Sequence, residues 1–236
     1  MLANIERLLT KYGMNFVNGL GTTLMLALIS VLIGCVIGAI VAIMRLSKSK
    51  ILNAISAVYT EVIRDTPLLL QLYFFYFMLP NIVSFVDLTS FQCVAIALLV
   101  NSSAYVSEVI RSGIQAIDRG QTEAARSLGL NGTQTMLRIV LPQAVKNILP
   151  ALCNEFIMII KETSLASTFF LGDLMTSHKI VSGATYLQLE SLIIVGAIYL
   201  CITFPLSKLV EWFEKKMSNE KSYKRHKRAK LSKAAK

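Results

Sequence analysis

Residues 22–44, TTLMLALISVLIGCVIGAIVAIM, run for 23 positions without a charged side chain. About 20 mainly apolar residues are enough for a helix to cross the roughly 30 Å hydrocarbon core of a bilayer. Comparable stretches follow at 89–110 and 187–209. Two more are less clean: 67–86 opens on Pro67, a residue favoured in a first helical turn, and 146–168 contains several polar groups. The balance of the chain agrees, with 54% hydrophobic and only 16% charged residues, against about 25% charged in a soluble domain. These features predict an all-α integral membrane protein with five transmembrane helices. The first stretch is too long for a signal-peptide core and lacks a cleavage site, so it reads as a permanent helix. Residues 1–21 then form an external or interfacial N-terminal segment, and 22–214 the membrane domain.

Orientation follows from where Lys and Arg fall between the spans. Arg45, Lys48, Lys50 and Arg64 follow the first span; Arg111, Arg119, Arg126 and Arg138 follow the third, with Lys146 at the edge. On the other side, 81–88 holds no basic residue and 169–186 only Lys179. The N-terminus is therefore expected outside and the C-terminus in the cytoplasm. Arg7 and Lys11, before the first span, run against this rule. Residues 51–64 place Ile51, Leu52, Ile55, Val58, Val62 and Ile63 near helical spacing, and read as an interfacial cytoplasmic helix.

The net charge of +10 belongs almost wholly to one end. Residues 215–236 carry ten Lys/Arg against one acid, whereas residues 1–214 are nearly balanced. A like-charge block without apolar periodicity reads as a disordered tail. Directly after an apolar span it fixes orientation and rests near anionic lipid heads, and is not read as a nucleic-acid arm. Cys35, Cys93, Cys153 and Cys201 stand apart in apolar surroundings, without metal or redox spacing, and read as small core residues.

The expected cytoplasmic loop 111–145 is too long to lack structure of its own. Glu123 to Leu128 favours helix, Gly129 sits where a helix ends in a left-handed turn, and 133–141 can form a second short helix. The result is a helical hairpin held at the membrane face. Its residues Glu123-Ala124-Ala125, Gly129, Ile139 and Leu141-Pro142 keep every spacing of the EAA loop of ABC importer permeases, which this chain resembles. Three further stretches resemble the polar amino-acid uptake subfamily: Arg64 to Leu72; Ala104-Tyr105 with Ser107-Glu108; and Asn154 to Ile157 with Lys161 to Leu165. Asp65 and Glu162 depart from that pattern, the second conservatively. The likeness covers nearly the whole chain before the tail. It implies the type I ABC importer permease fold, in a prokaryotic inner or plasma membrane.

The resemblance also implies partners. The loop would dock an ATPase subunit, and a second permease copy or relative would complete the pathway. An external solute-binding protein would deliver a polar amino acid. This chain contains no G-x-x-x-x-G-K-[ST] phosphate loop, so ATP and Mg belong to the partner, and the chain itself is not read as an enzyme. No cofactor, metal-ligand set or nucleophile–base arrangement is expected in it.

Polar groups inside a bilayer ask for a reason, since a charge at mid-depth costs at least about 2.5–3.5 kcal/mol. Counting at about 1.5 Å per residue, Asn101 lies about 18 Å from the outer end of the third span and Glu155 about 14 Å from the inner end of the fourth. The two fall at similar depth near the midplane, where transporters place substrate sites. Asn101 and Tyr105 share a helix face with Glu108, and Glu155 shares one with Glu162. Asn101, Tyr105 and Glu155, with Gln71 as a weaker member, are the expected substrate pathway. Lys161 and Glu162, near the outer end, are expected to form a structural or gating pair. Gly34 and Gly38 predict a close helix contact without naming its partner. Asp173 and His178 fall in the outer loop, within reach of a binding protein. Two other functional classes compete with this reading: an ion-gradient-driven secondary transporter with Glu155 as its ion site, and a non-transporting anchor working through the tail.

Overall fold

The computed structural model describes residues 1–83 and 87–234, and for 217–234 the backbone alone. Nine α-helices are described: α1 Leu2–Arg45, α2 Lys50–Arg64, α3 Leu68–Ile82, α4 Ser90–Gln115, α5 Arg119–Ser127, α6 Gly132–Thr135, α7 Leu141–Glu162, α8 Leu174–Thr185 and α9 Gln188–Ala234. A π-helical stretch, Met136–Val140, joins α6 to α7, and a 3₁₀ stretch, Thr163–Phe169, follows α7. Among the described residues there is no strand.

Four of the expected spans lie in helices long and apolar enough to cross a membrane: α1, α4, the run through α7, and α9 up to Lys216. The second does not stand alone. α3 has 15 residues, about 22 Å of rise. It is long and apolar enough only when taken together with α2, from which it is bent by 104°. Pro67 explains the break: it lacks an amide hydrogen, and it holds the preceding residue out of the helical region. A helix is present where one was expected at 51–64: α2, capped by Ser49. Residues 84–86, the end of the expected second span, lie outside the described residues.

Two boundaries differ from expectation. Residues 1–21 are not a separate segment, because α1 runs unbroken from Leu2 through the first span; this stretch contains no proline to stop it. The basic tail, expected to lack structure, continues α9 as helical backbone to Ala234. From Leu206 to Ala234 there is neither Gly nor Pro, and Lys, Arg, Glu, Ala and Leu are good helix formers.

α1 is the central post, packed on α4, α7, α8 and α9. In lipid, helices gain little from hydrophobicity and associate through close packing of small residues. Gly34 and Gly38 serve this contact, and its partner is α4. A Cβ on Gly38 would lie 2.7 Å from Val106 Cγ1 and 2.8 Å from the Ser103 carbonyl; one on Gly34 would lie 3.0 Å from Ser102 Oγ. These pairs rise together in number, so α1 and α4 run parallel. Buried clusters lie along the post: Leu26, Leu72, Val94 and Leu98 with α3 and α4; Ala27, Val31, Ile159 and Ile160 with α7; and Leu8, Phe16, Leu174, Val181 and Val195 with α8 and α9. The start of α1, α8 and the start of α9 thus share one end of the bundle. The hairpin after α4 lies at the other.

Candidate functional site: a coupling hairpin and a polar midsection

The hairpin is built by local capping. Asp118 accepts from the Gly120 amide at 2.7 Å and starts α5. α5 ends with two bonds of opposite reach: Leu130 N donates to Ala125 O at 3.2 Å and Gly129 N to Arg126 O at 3.0 Å. This closure is a Schellman turn, which needs a left-handed residue at Gly129; its φ is +84°. Asn131 and Gln134 then exchange side-chain-to-amide bonds, each 2.9 Å, and open α6.

Within the signature, Ala125 is buried at 4% exposure, while Glu123 and Ala124 face outward. α5 packs against the π stretch that leads into α7, and small residues permit that approach. Ile139 and Leu141 are half-buried and Pro142 is exposed. The π stretch has a cause in Pro142, whose ring in a regular α-helix would meet the carbonyl of Arg138. Leu141 N donates instead to Met136 O, five residues back. The hairpin also displays apolar surface that the motif does not include: Leu128 is 83% exposed and Leu137 57%. Leucines bounding a polar helix were the available signal for them. Helical backbone continues from this joint through Glu162.

In the midsection, Asn101, Gln71 and Glu155 are all buried, at 3%, 6% and 6% exposure. Asn101 Nδ2 donates to Gln71 Oε1 at 2.9 Å. The Gln71 amide nitrogen in turn faces Ile63 O at 2.7 Å, Thr66 Oγ1 at 2.8 Å and Thr66 O at 3.1 Å. These carbonyls lie at the end of α2, where a helix leaves acceptors unmatched. Gln71 is therefore first a clamp on the α2–α3 elbow, with Asn101 orienting it. Tyr105 is half-buried, with the Arg64 guanidinium 5.5 Å from its ring centre.

Glu155 differs from these. Among the described residues it makes no hydrogen bond or ion pair, although it is buried in α7. Buried carboxylates are ordinarily paired or coordinated. The structure does not join it to Asn101 by a hydrogen bond, although α4 and α7 pack on each other.

The expected Lys161–Glu162 pair is not an ion pair among the described residues: Lys161 is exposed and Glu162 half-buried. Neighbours in a helix point about 100° apart and do not face each other. Asp173 and His178 are also not solvent-facing loop residues. Asp173 is fully buried and caps α8, accepting from Met175 N, Thr176 N and the Thr176 hydroxyl. Burial pushes its carboxyl above the usual range, against the pull of those bonds. His178 is 8% exposed, with Nδ1 3.1 Å from Ser191 Oγ. Burial, then nearby Lys179, holds its ring below the ordinary imidazole value. Polar contacts on both sides hold α8 inward: to α1, where Thr23 Oγ1 accepts from Leu174 N and Ser177 Oγ donates to the Asn15 carbonyl, and to α9 through His178 and Ser191.

Comparison with known proteins accords with this architecture. Residues 34–219 match the family described as the binding-protein-dependent transport system inner membrane component. The nopaline transport system permease protein of Agrobacterium fabrum is 45% identical over 81% of this chain and 84% of its own. The arginine transport system permease protein of Bacillus subtilis is 41% identical over 85% and 91%. Among solved structures, an amino acid ABC transporter crystallised with histidines superposes with a TM-score of 0.84. It is 43% identical over 88% of this chain and 96% of that one. The inward-facing MetNI methionine ABC transporter, at 19% identity and a TM-score of 0.64, shares the fold. With its hairpin, its helical order and these relatives in agreement, the chain belongs to the binding-protein-dependent transport system inner membrane components.

Proposed function

We propose that this chain is the membrane-spanning subunit of an ABC importer for polar amino acids, resident in a prokaryotic inner membrane. Its relatives are named for nopaline, arginine and glutamine transport. A solute-binding protein delivers the amino acid to the end of the bundle opposite the hairpin. A second permease subunit completes the pathway. ATP and Mg are handled by a separate ATPase that docks on Glu123, Ala124, Ala125, Gly129, Ile139, Leu141 and Pro142, with Leu128 and Leu137 as apolar anchors.

The observation that carries this reading is the hairpin, capped at each turn and continuous in helix with the span that holds Glu155. A push at its exposed face passes along a rigid element to α7. In the midsection, Glu155 offers a carboxylate to the ammonium group of the passing amino acid, opposite Asn101 and Tyr105. A cation arriving there offsets the cost of keeping that carboxylate buried.

The test is uptake of labelled arginine, histidine, glutamine and glutamate by cells carrying the whole system, comparing wild type, Gly129→Asp and Glu155→Gln. Normally inserted Gly129→Asp protein is expected to lose ATP-dependent uptake, and Glu155→Gln to change substrate preference. Uptake by Gly129→Asp that persists and follows the ion gradient refutes the ATPase-coupled reading and supports a secondary transporter.

A further inference from the structure

Arg7 and Lys11 are the two basic residues that break the charge asymmetry of this chain. They stand at the end of the bundle opposite the hairpin, where Lys and Arg are otherwise sparse. One turn apart on α1, they line the same cavity of about 270 Å³, with Asn4, Leu8, Tyr12, Ala184, Thr185 and Leu187. Neither is consumed by the fold. Among the described residues, neither forms an ion pair or donates a hydrogen bond. The Lys11 ammonium lies 5.3 Å from the centre of the Tyr12 ring. Glu190, in the first turn of α9, is already engaged: its Oε1 accepts from Asn4 Nδ2 at 2.9 Å. Glu6 and the amino terminus are the other charged groups of this segment.

The depth of the cavity points to its ligand. Leu187, in its wall, directly precedes α9, whose first turns begin the apolar span 187–209. Counted along α9, the opening lies level with the start of that apolar span, where lipid phosphates begin. Leu8 and Leu187 are the large aliphatic residues of its otherwise mostly polar lining. Next in sequence to Leu187 of its wall, Tyr186 is 89% exposed and Leu189 61%, residues suited to acyl chains and the membrane interface. A phosphate between two cations, with chains lying on neighbouring leucines, matches both halves of this surface.

We propose that Arg7 and Lys11 form a binding site for the phosphodiester of an anionic phospholipid, holding the N-terminal part of α1 against α8 and α9. Free inorganic phosphate shares the charge but not the acyl chains, and a solute-binding protein would offer carboxylates in place of phosphate.

The test uses the full chain in its assembled transporter, purified in a neutral detergent and titrated with phosphatidylglycerol or with phosphatidylcholine of the same chains, read by native mass spectrometry. Each basic residue near an anionic surface is worth about fivefold in binding. Arg7→Gln with Lys11→Gln is therefore expected to weaken phosphatidylglycerol binding about 30-fold. Phosphatidylcholine binding should stay unchanged, and the charge-preserving Arg7→Lys with Lys11→Arg should restore the difference. Inorganic phosphate at millimolar concentration should fail to displace the lipid. Equal retention of both lipids by the wild type overturns the proposal, as does undiminished phosphatidylglycerol binding by the double Gln variant. Displacement by inorganic phosphate assigns the cavity to a free anion and overturns the lipid source. A double Gln variant that keeps its lipid but loses binding-protein affinity assigns the surface to that protein instead.

Discussion

Gly129 isolates a single physical term. Its φ of +84° belongs to the left-handed region, and a Cβ added there meets nothing within 4 Å. Substitution therefore brings no clash, only backbone strain. An L-residue pays about 1–2 kcal/mol for this conformation, less for Asn and more for a β-branched side chain. The free hairpin can escape the strain by opening its turn, so the cost returns when the ATPase requires the closed form. Affinity between hairpin and ATPase should then fall about 5- to 30-fold for Gly129→Ala, with Gly129→Asn milder and Gly129→Val worse. The overall fold should be unaffected, because the turn stands clear of the bundle. The assay is titration of the purified ATPase onto the permease in nanodiscs, paired with a thermal melt of the permease alone. Equal affinities for Gly129→Val and wild type would refute the argument from turn geometry. So would a melt that drops as far as the affinity does.

Four shorter expectations accompany it. Gln71→Leu removes the donor to Ile63 O and Thr66 O and should destabilise the α2–α3 elbow by about 1–3 kcal/mol, read as a lowered melting temperature; Gln71→Glu should not rescue it, since a carboxylate cannot donate. Gly38→Leu pushes a side chain into Val106 and the Ser103 carbonyl, and should cost about 1–3 kcal/mol, with a smaller loss for Gly38→Ala. In the buried midsection, Glu155→Gln keeps the shape and removes the charge, so cationic amino acids should lose more uptake than neutral ones; equal losses for all would argue for a packing role. His178, held neutral by burial, contributes stability that is full above the unfolded imidazole value of about 6.5 and declines as pH falls through it toward the lower folded value. His178→Gln should flatten that acid limb in a melt-versus-pH series, and an unchanged limb would exclude the histidine as its source.

The features readable from sequence were those with a fixed spacing or a forced backbone state. The hairpin follows from Ala124 and Ala125, from Gly129 at a helix end and from Pro142, each of which narrows the local options by itself. The Gly34–Gly38 contact was equally legible, and the run Ser102-Ser103-Ala104 on α4, the span richest in small residues, was the available signal for its partner. The role of Gln71 was not readable: an amide in an apolar helix looks the same whether it meets a solute or a carbonyl. That distinction depends on Pro67 breaking the chain and leaving Ile63 O within reach. α8 was missed for a related reason. Its polar residues resembled a wetted loop, and their partners inside the bundle come from other helices: Thr23 and the Asn15 carbonyl, far off in sequence on α1, and Ser191 on α9. Lys161 and Glu162 were joined by charge, although adjacency in a helix already separates their side chains.

The π stretch at Met136–Val140 also sets an angle. It holds one residue more than an α-helical joint would, and each residue of a helix turns the chain by about 100°. The direction in which the hairpin presents Leu128 and Leu137 is therefore indexed by a single amino acid. Deleting one residue from 136–140 would keep every other side chain of the hairpin, yet swing its outward face about a quarter-turn around the axis of α7. A chain shortened in this way would carry an intact handle facing the wrong way.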